Sequence, residues 1–138
     1  MQDASKVVMG ATKSTAKEAT CYKGDVLAGL VVRQKSDGTL SLAKADGGIL
    51  GVSLGKDLSN AGFTSICRKG LLVPVLLTAA LVPVIGAAVS ISDTTGKAAA
   101  PGAGVTAVNA VYASGVLSGL QEDGSYAEVA LIDMTGGL

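Results

Sequence analysis

From Lys23 onward the chain alternates short apolar runs with turn-forming clusters, at roughly the eight-to-twelve-residue spacing of all-β proteins. The runs are Asp25–Arg33, Thr39–Ala43, Ile49–Leu54, Phe63–Arg68, Leu71–Thr78, Ala87–Ser92, Thr106–Ala113, Val116–Leu120 and Tyr126–Asp133. They are rich in Val, Leu and Ile, and several alternate with period two, which predicts strands. Between them stand Ser36-Asp37-Gly38, Asp46-Gly47-Gly48, Ser59-Asn60-Ala61-Gly62, Ser92-Asp93-Thr94-Thr95-Gly96-Lys97, Pro101–Gly104 and Glu122-Asp123-Gly124-Ser125. Asp-Gly between alternating runs is a strong hairpin signal, and it occurs at 37–38, 46–47 and 123–124. After residue 25 no long stretch has helical period with caps. The pattern predicts an all-β domain, a sandwich or jelly-roll-like barrel of about eight to ten short strands. Residues 1–20 are small, polar and dotted with lysine, and read as an N-terminal arm; residues 21–138 read as the β domain.

One stretch tests this reading. From Leu71 to Val89 there is no charged residue, and the run approaches the roughly 20 residues of a membrane-spanning helix. Pro74 and Pro83 would break such a helix, and Val89-Ser90-Ile91-Ser92 alternates with period two. The expectation is two buried strands, Leu71–Thr78 and Ala87–Ser92, joined by a turn around Pro83 and Gly86, with no membrane partner.

Composition narrows the class further. Hydrophobic residues make up 49% of the chain, yet there is no Trp and one Phe, so the core must be aliphatic. The formal net charge of zero supplies no basic field for nucleic acid or an anionic bilayer. The opening MQDASKVVMG lacks the apolar centre of a secretory signal, so synthesis in the cytoplasm is expected. Cys21 and Cys67 stand far apart with no motif around them. Reduced structural thiols are expected, with a single disulfide as the alternative.

The chain contains no histidine, which removes the commonest general base and metal ligand. Gly51-Val52-Ser53-Leu54-Gly55 matches the G-x-S-x-G nucleophile elbow, but an elbow needs a strand-to-helix turn and a histidine. Ser53 is instead expected on the solvent face of a strand. Glu122-Asp123 reads as a solvated turn, with no second carboxylate placed for glycoside hydrolysis. Asp93-Thr94-Thr95-Gly96 lacks the further oxygen ligands of a calcium loop and reads as a turn in which Asp93 bonds its own backbone. Gly102-Ala103-Gly104 is too short for a dinucleotide fingerprint. Tyr22, Tyr112 and Tyr126 are too scattered for a stacking platform. No enzyme, cofactor or metal site is expected.

Several phrases together carry a resemblance. Lys23-Gly24-Asp25-Val26, Ile49–Leu54, Lys69-Gly70-Leu71-Leu72-Val73-Pro74, Val89–Lys97, and the ending Gly119-Leu120 with Ala127–Ile132 resemble the small capsid decoration, or cement, proteins of tailed bacteriophages. The resemblance runs over Lys23–Asp133. It implies a small β domain, often jelly-roll-like, that straddles major capsid protein subunits on the outer surface of the virion as a homo-oligomer, dimer or trimer. A carbohydrate-binding or fibre-associated β module is the alternative. Within the arm, Val7-Val8-Met9 is a compact apolar unit flanked by lysines, Lys6 and Lys13. It is expected to contact a neighbouring subunit or the capsid by adding a strand to the neighbour's sheet.

Overall fold

The computed structural model describes residues 6–9, 16–57 and 60–138, with the backbone alone described for 6–8 and 16–19. Ten strands join in one hydrogen-bonded sheet: β1 (Lys6–Val8), β2 (Ala16–Lys23), β3 (Val31–Gln34), β4 (Leu40–Ser41), β5 (Ile49–Lys56), β6 (Phe63–Leu76), β7 (Ala88–Ser92), β8 (Val105–Tyr112), β9 (Leu117–Leu120) and β10 (Tyr126–Met134). A single 3-10 turn, Lys44–Asp46, follows β4. Among the described residues there is no α-helix, and no helix is long and apolar enough to cross a membrane. The chain is all-β, as its periodicity predicts.

The sheet path runs β1-β9-β10-β6-β5-β3-β4, with β2 beside β6 and β8 joining β10 to β7. Among the ten described strands every pairing is antiparallel except β1 on β9. The sheet has two ends and does not close into a barrel. It nevertheless doubles over. Val31 of β3 and Val89 and Ile91 of β7 share one core, although four strands separate β3 from β7 along the sheet. The turn after β7 also reaches β3, where the Val31 amide donates to the Gly96 carbonyl at 2.9 Å. This sandwich-like fold buries Val52, Cys67, Val73, Val75, Ala130, Ile132 and Met134 between its two wings.

The longest strand, β6, is the spine. It pairs with β2 over Phe63–Gly70, with β5 over Thr64–Cys67, and with β10 over Gly70–Leu76. The sequence pattern separates Phe63–Arg68 from Leu71–Thr78, but the chain crosses Lys69-Gly70 without leaving the sheet. The three expected Asp-Gly turns do not behave alike. Asp37-Gly38 and Asp123-Gly124 close the β3–β4 and β9–β10 hairpins. Asp46-Gly47 instead joins β4 to β5, which are not neighbours, because β3 lies between them.

The stretch read as an arm supplies β1 and much of β2 to this sheet. A second, smaller core forms beside it from Met9, Ala28, Leu30, Leu76 and Val129.

Candidate functional site

The uncharged run leaves β6 at Leu76 and re-enters the sheet at Ala88. Both ends of the connecting loop are fixed by backbone hydrogen bonds. The Thr78 amide donates to Ala98 O at 2.9 Å, Gly86 N to Tyr112 O at 2.8 Å, and Tyr112 N to Ala87 O at 3.0 Å. Within the loop, two reverse turns satisfy further groups: Leu81 N donates to Thr78 O at 3.3 Å and Ala87 N to Val84 O at 3.0 Å. Each has positive φ at its third position, Ala80 at 65° and Gly86 at 88°. That is the conformation a type II turn requires and glycine adopts freely; alanine adopts it only with strain.

These turns decide where the side chains go. Pro83 is buried and Leu81 packs against the core. Val82, Val84 and Ile85 project outward, 74%, 65% and 70% exposed. Val111, which pairs with Ala88, and Val116 are also partly exposed, at 40% and 43%. No charged residue occurs between Lys69 and Asp93. Single exposed aliphatics are ordinary, but a fixed loop carrying three of them, with exposed alanines around it, has the character of a contact surface. Full burial of each against a partner would contribute about 1.5–3 kcal/mol.

The two strands and the turn around Pro83 and Gly86 lie where the sequence predicts, but the expected burial of both strands holds only over residues 73–77 and 89–91. Leu71 and Leu72 are also about half exposed. Hydrophobicity specified burial, whereas the turn hydrogen bonds set side-chain direction. The signal was present as Pro83 and Gly86 inside an apolar run, which marks a loop whose greasiness the core does not use.

Val7 and Val8 lie in β1, in parallel register with Gly119 and Leu120 of the same chain. The Met9 amide donates to Leu120 O at 3.0 Å, and its side chain is buried in the second core. Two glycines make its place: a Cβ on Gly29 would collide with Met9 Cε, and one on Gly119 would lie 2.8 Å from Met9 Sδ. In this structure the backbone of β1 pairs, and the Met9 side chain packs, within the chain's own domain.

Ser53 is not on a solvent face but 1% exposed. The chain between Gly24 and Leu30 crosses over it, with Gly29 N donating to Ser53 O and Ser53 N to Leu30 O, both at 2.8 Å. Its hydroxyl accepts the Gly55 amide at 3.3 Å and lies 3.4 Å from Val26 O. It serves the backbone. Cys21 and Cys67 are both free thiols. The Cys21 thiol donates to Asp57 at 2.7 Å, and that bond raises its pKa. Burial pushes Cys67 up to about 11. Neither is a thiolate near neutral pH.

Polar groups concentrate at a different place, around Asp93. Its carboxylate accepts the Thr106 hydroxyl at 2.6 Å and lies 3.7 Å from the Arg33 guanidinium. Arg33 is 1% exposed and also donates to Leu42 O at 3.0 Å. Burial lowers its pKa. The Asp93 backbone donates to Gly104 O and accepts from Lys44 N, so one residue ties together four segments. The following turn is not capped by Asp93, as the sequence suggests, but by Ser92, whose hydroxyl accepts the Thr94 and Thr95 amides at 3.4 and 3.3 Å. Asp37 and Asp123 are held below the usual carboxylate range by hydrogen bonds from Thr39 and Ser125. These bonds close hairpins.

Among the described residues no three His, Cys, Asp or Glu side chains converge as metal ligands would. Tyr112 is buried while Tyr126 is 55% exposed, so the two do not share a surface. Comparison with models of protein families, with curated proteins and with solved structures finds no match for this chain.

Proposed function

We propose that this chain is a structural virion protein, a capsid decoration or cement protein of a tailed bacteriophage, acting on the outer surface of the shell across major capsid protein subunits. The observation that carries this reading is the rigidly anchored, uncharged loop that exposes Val82, Val84 and Ile85. The sequence resemblance over Lys23–Asp133 supplies the identity of the partner. The role is binding without chemistry. A loop fixed at both ends loses little conformational freedom on docking, so more of the gain from apolar burial is kept.

The mechanism follows from linkage. A ligand that binds only the assembled state stabilises it in proportion to the logarithm of its concentration over its dissociation constant. A protein whose docking loop meets a surface formed by adjoining capsid subunits would therefore oppose their separation. The test is sedimentation of the chain with expanded shells, and with unassembled subunits, of a tailed-bacteriophage major capsid protein. Cosedimentation with shells, weak association with free subunits and a raised thermal midpoint of the shell are expected. Binding to a glycan array with no affinity for shells would replace this reading with the carbohydrate-binding one.

A further inference from the structure

Two polar side-chain atoms are buried without a hydrogen-bond partner among the described residues, the Tyr112 hydroxyl and Gln121 Nε2. The first is enclosed in the main core. The second follows β9, where the hairpin to β10 turns. The Gln121 backbone is engaged on both sides: its amide donates to Ser125 O at 2.8 Å, and its carbonyl accepts from Gly124 N at 3.1 Å. The turn thus fixes the residue while its side-chain amide has nothing to donate to. A buried donor left unmatched costs the fold stability. Unlike Tyr112, Gln121 is only partly buried and lines an open groove.

Three segments build that groove. The crossing before β3 contributes Leu27 and Leu30, the end of β6 contributes Leu76 and Leu77, and the hairpin contributes Gln121. Backbone bonds tie them together, from Leu76 N to Gly29 O at 2.8 Å and from Leu77 N to Glu128 O at 3.0 Å. Leu30, Leu76 and Leu77 are buried, while Leu27 is 61% exposed beside them. The groove holds about 540 Å³, within the roughly 300–1,000 Å³ range of ligand pockets. Its walls are formed in advance, so little freedom is lost on binding. Lys97, Asp123 and Glu128 bring both signs of charge to it. A carboxylate ligand would meet the two acids, and an ammonium would meet Lys97 and leave the Gln121 donor unmatched.

We propose that this groove binds an uncharged aliphatic peptide segment of a protein partner. One aliphatic side chain lies against the leucines, and a backbone carbonyl accepts from Gln121 Nε2 after the amide turns toward the opening. Each leucine-like residue of an extended chain carries a neutral carbonyl beside its side chain, which is the pairing the groove asks for. A fatty acid instead carries its oxygens as a charge at the end of a long tail. The groove is lined by residues other than Val82, Val84 and Ile85, so this proposal and the reading of that loop stand or fall separately.

Titration of the full chain with N-acetyl-leucyl-leucinamide, followed by nitrogen–proton NMR, tests it. Saturable shifts at the backbone amides of Leu27, Thr95 and Gln121 are expected, with none from N-acetyl-glycyl-glycinamide. Octanoate, an anion with an aliphatic tail, should bind at least tenfold more weakly. Gln121→Leu removes the unmatched donor, so its melting temperature should equal or exceed that of the wild type. Its affinity for the leucine probe should nevertheless fall about tenfold, the loss of one hydrogen bond. Leu27→Ser, at an exposed site, should weaken the probe without lowering the melting temperature. Four results would overturn the proposal: no saturable shift in the wild type, octanoate binding as tightly as the dipeptide, either variant binding the probe as tightly as the wild type, or a melting temperature lowered by Gln121→Leu.

Discussion

The turn after β7 and the loop after β6 both connect strands, yet they are built on opposite principles. Around Asp93 almost every polar group has a partner within the chain: Thr106, Arg33, Lys44 and Gly104 converge on one residue, and Ser92 caps the turn. Around Pro83 the backbone is just as fixed, but while Pro83 and Leu81 turn inward, three aliphatics stand in water. The first region uses its residues to hold the two wings of the sheet together. The second contributes little to the fold beyond its anchors. The contrast separates residues that stabilise from residues available for contact, and it makes the two regions separable by mutation.

The largest effect on stability is expected at the first region. Asp93→Ala would leave the Arg33 guanidinium buried without its carboxylate. Breaking a buried pair from one side costs about 3–5 kcal/mol, reduced here because Asp93 is partly exposed and the pair is 3.7 Å apart. A loss of about 2–3 kcal/mol in urea denaturation is expected. By contrast, replacing Val82, Val84 and Ile85 together with Ser should change stability by under about 0.5 kcal/mol per site, as for surface positions. A large loss in the loop variant would mean that the loop belongs to the core after all.

The buried thiol gives a pH-dependent effect of intermediate size. Cys67 has its folded pKa raised to about 11 from an ordinary 9.0. The folded state therefore holds its proton where the unfolded chain releases it. Stability from this group is complete below pH 9 and declines as pH rises from 9 to 11. The loss should be on the order of 1–2 kcal/mol, and Cys67→Val should remove that part of the alkaline decline in denaturation curves measured between pH 8 and 11. Tyr112, also raised by burial, adds to the decline in the same direction.

The next effect has the opposite sign. The Tyr112 hydroxyl is buried with no hydrogen-bond partner among the described residues. Tyr112→Phe should stabilise the protein by about 1 kcal/mol, because an unsatisfied buried hydroxyl is removed. A loss of stability on this substitution would show that the hydroxyl has a partner in solution. The smallest effect is expected at Ala80, where φ of 65° strains alanine. Ala80→Gly relieves that strain but adds unfolded-state freedom, leaving a net gain below about 1 kcal/mol by thermal melt.

The sequence showed some of these elements clearly and hid others. Strands β8, β9 and β10 were legible to within a residue or so, because Asp123-Gly124 fixes a hairpin and the flanking runs alternate. The start of β3 was not. Asp25–Leu30 looks like strand, but Gly29 is drawn aside to accept the Leu76 amide at 2.8 Å and to make room for Met9. Neither contact is local. Strand β2 has no apolar alternation in its AKEATCYK sequence and is recruited by the exposed edge of β6. The burial of Met9 depends on two glycines remote from it in sequence. The turn around Pro83 and Gly86 was legible, but the outward direction of Val82, Val84 and Ile85 was not, because hydropathy reports a preference for burial while turn geometry decides whether a side chain can reach the core.

The most direct test of the central claim is binding of the Val82→Ser, Val84→Ser, Ile85→Ser triple variant to shells, measured by cosedimentation beside the wild type. The variant should retain the wild-type circular dichroism spectrum and melting temperature while its affinity for shells falls at least a hundredfold. That is the loss expected when roughly 3 kcal/mol or more of apolar burial is removed. A correctly folded variant that decorates shells as tightly as the wild type would show that the loop is not the docking surface.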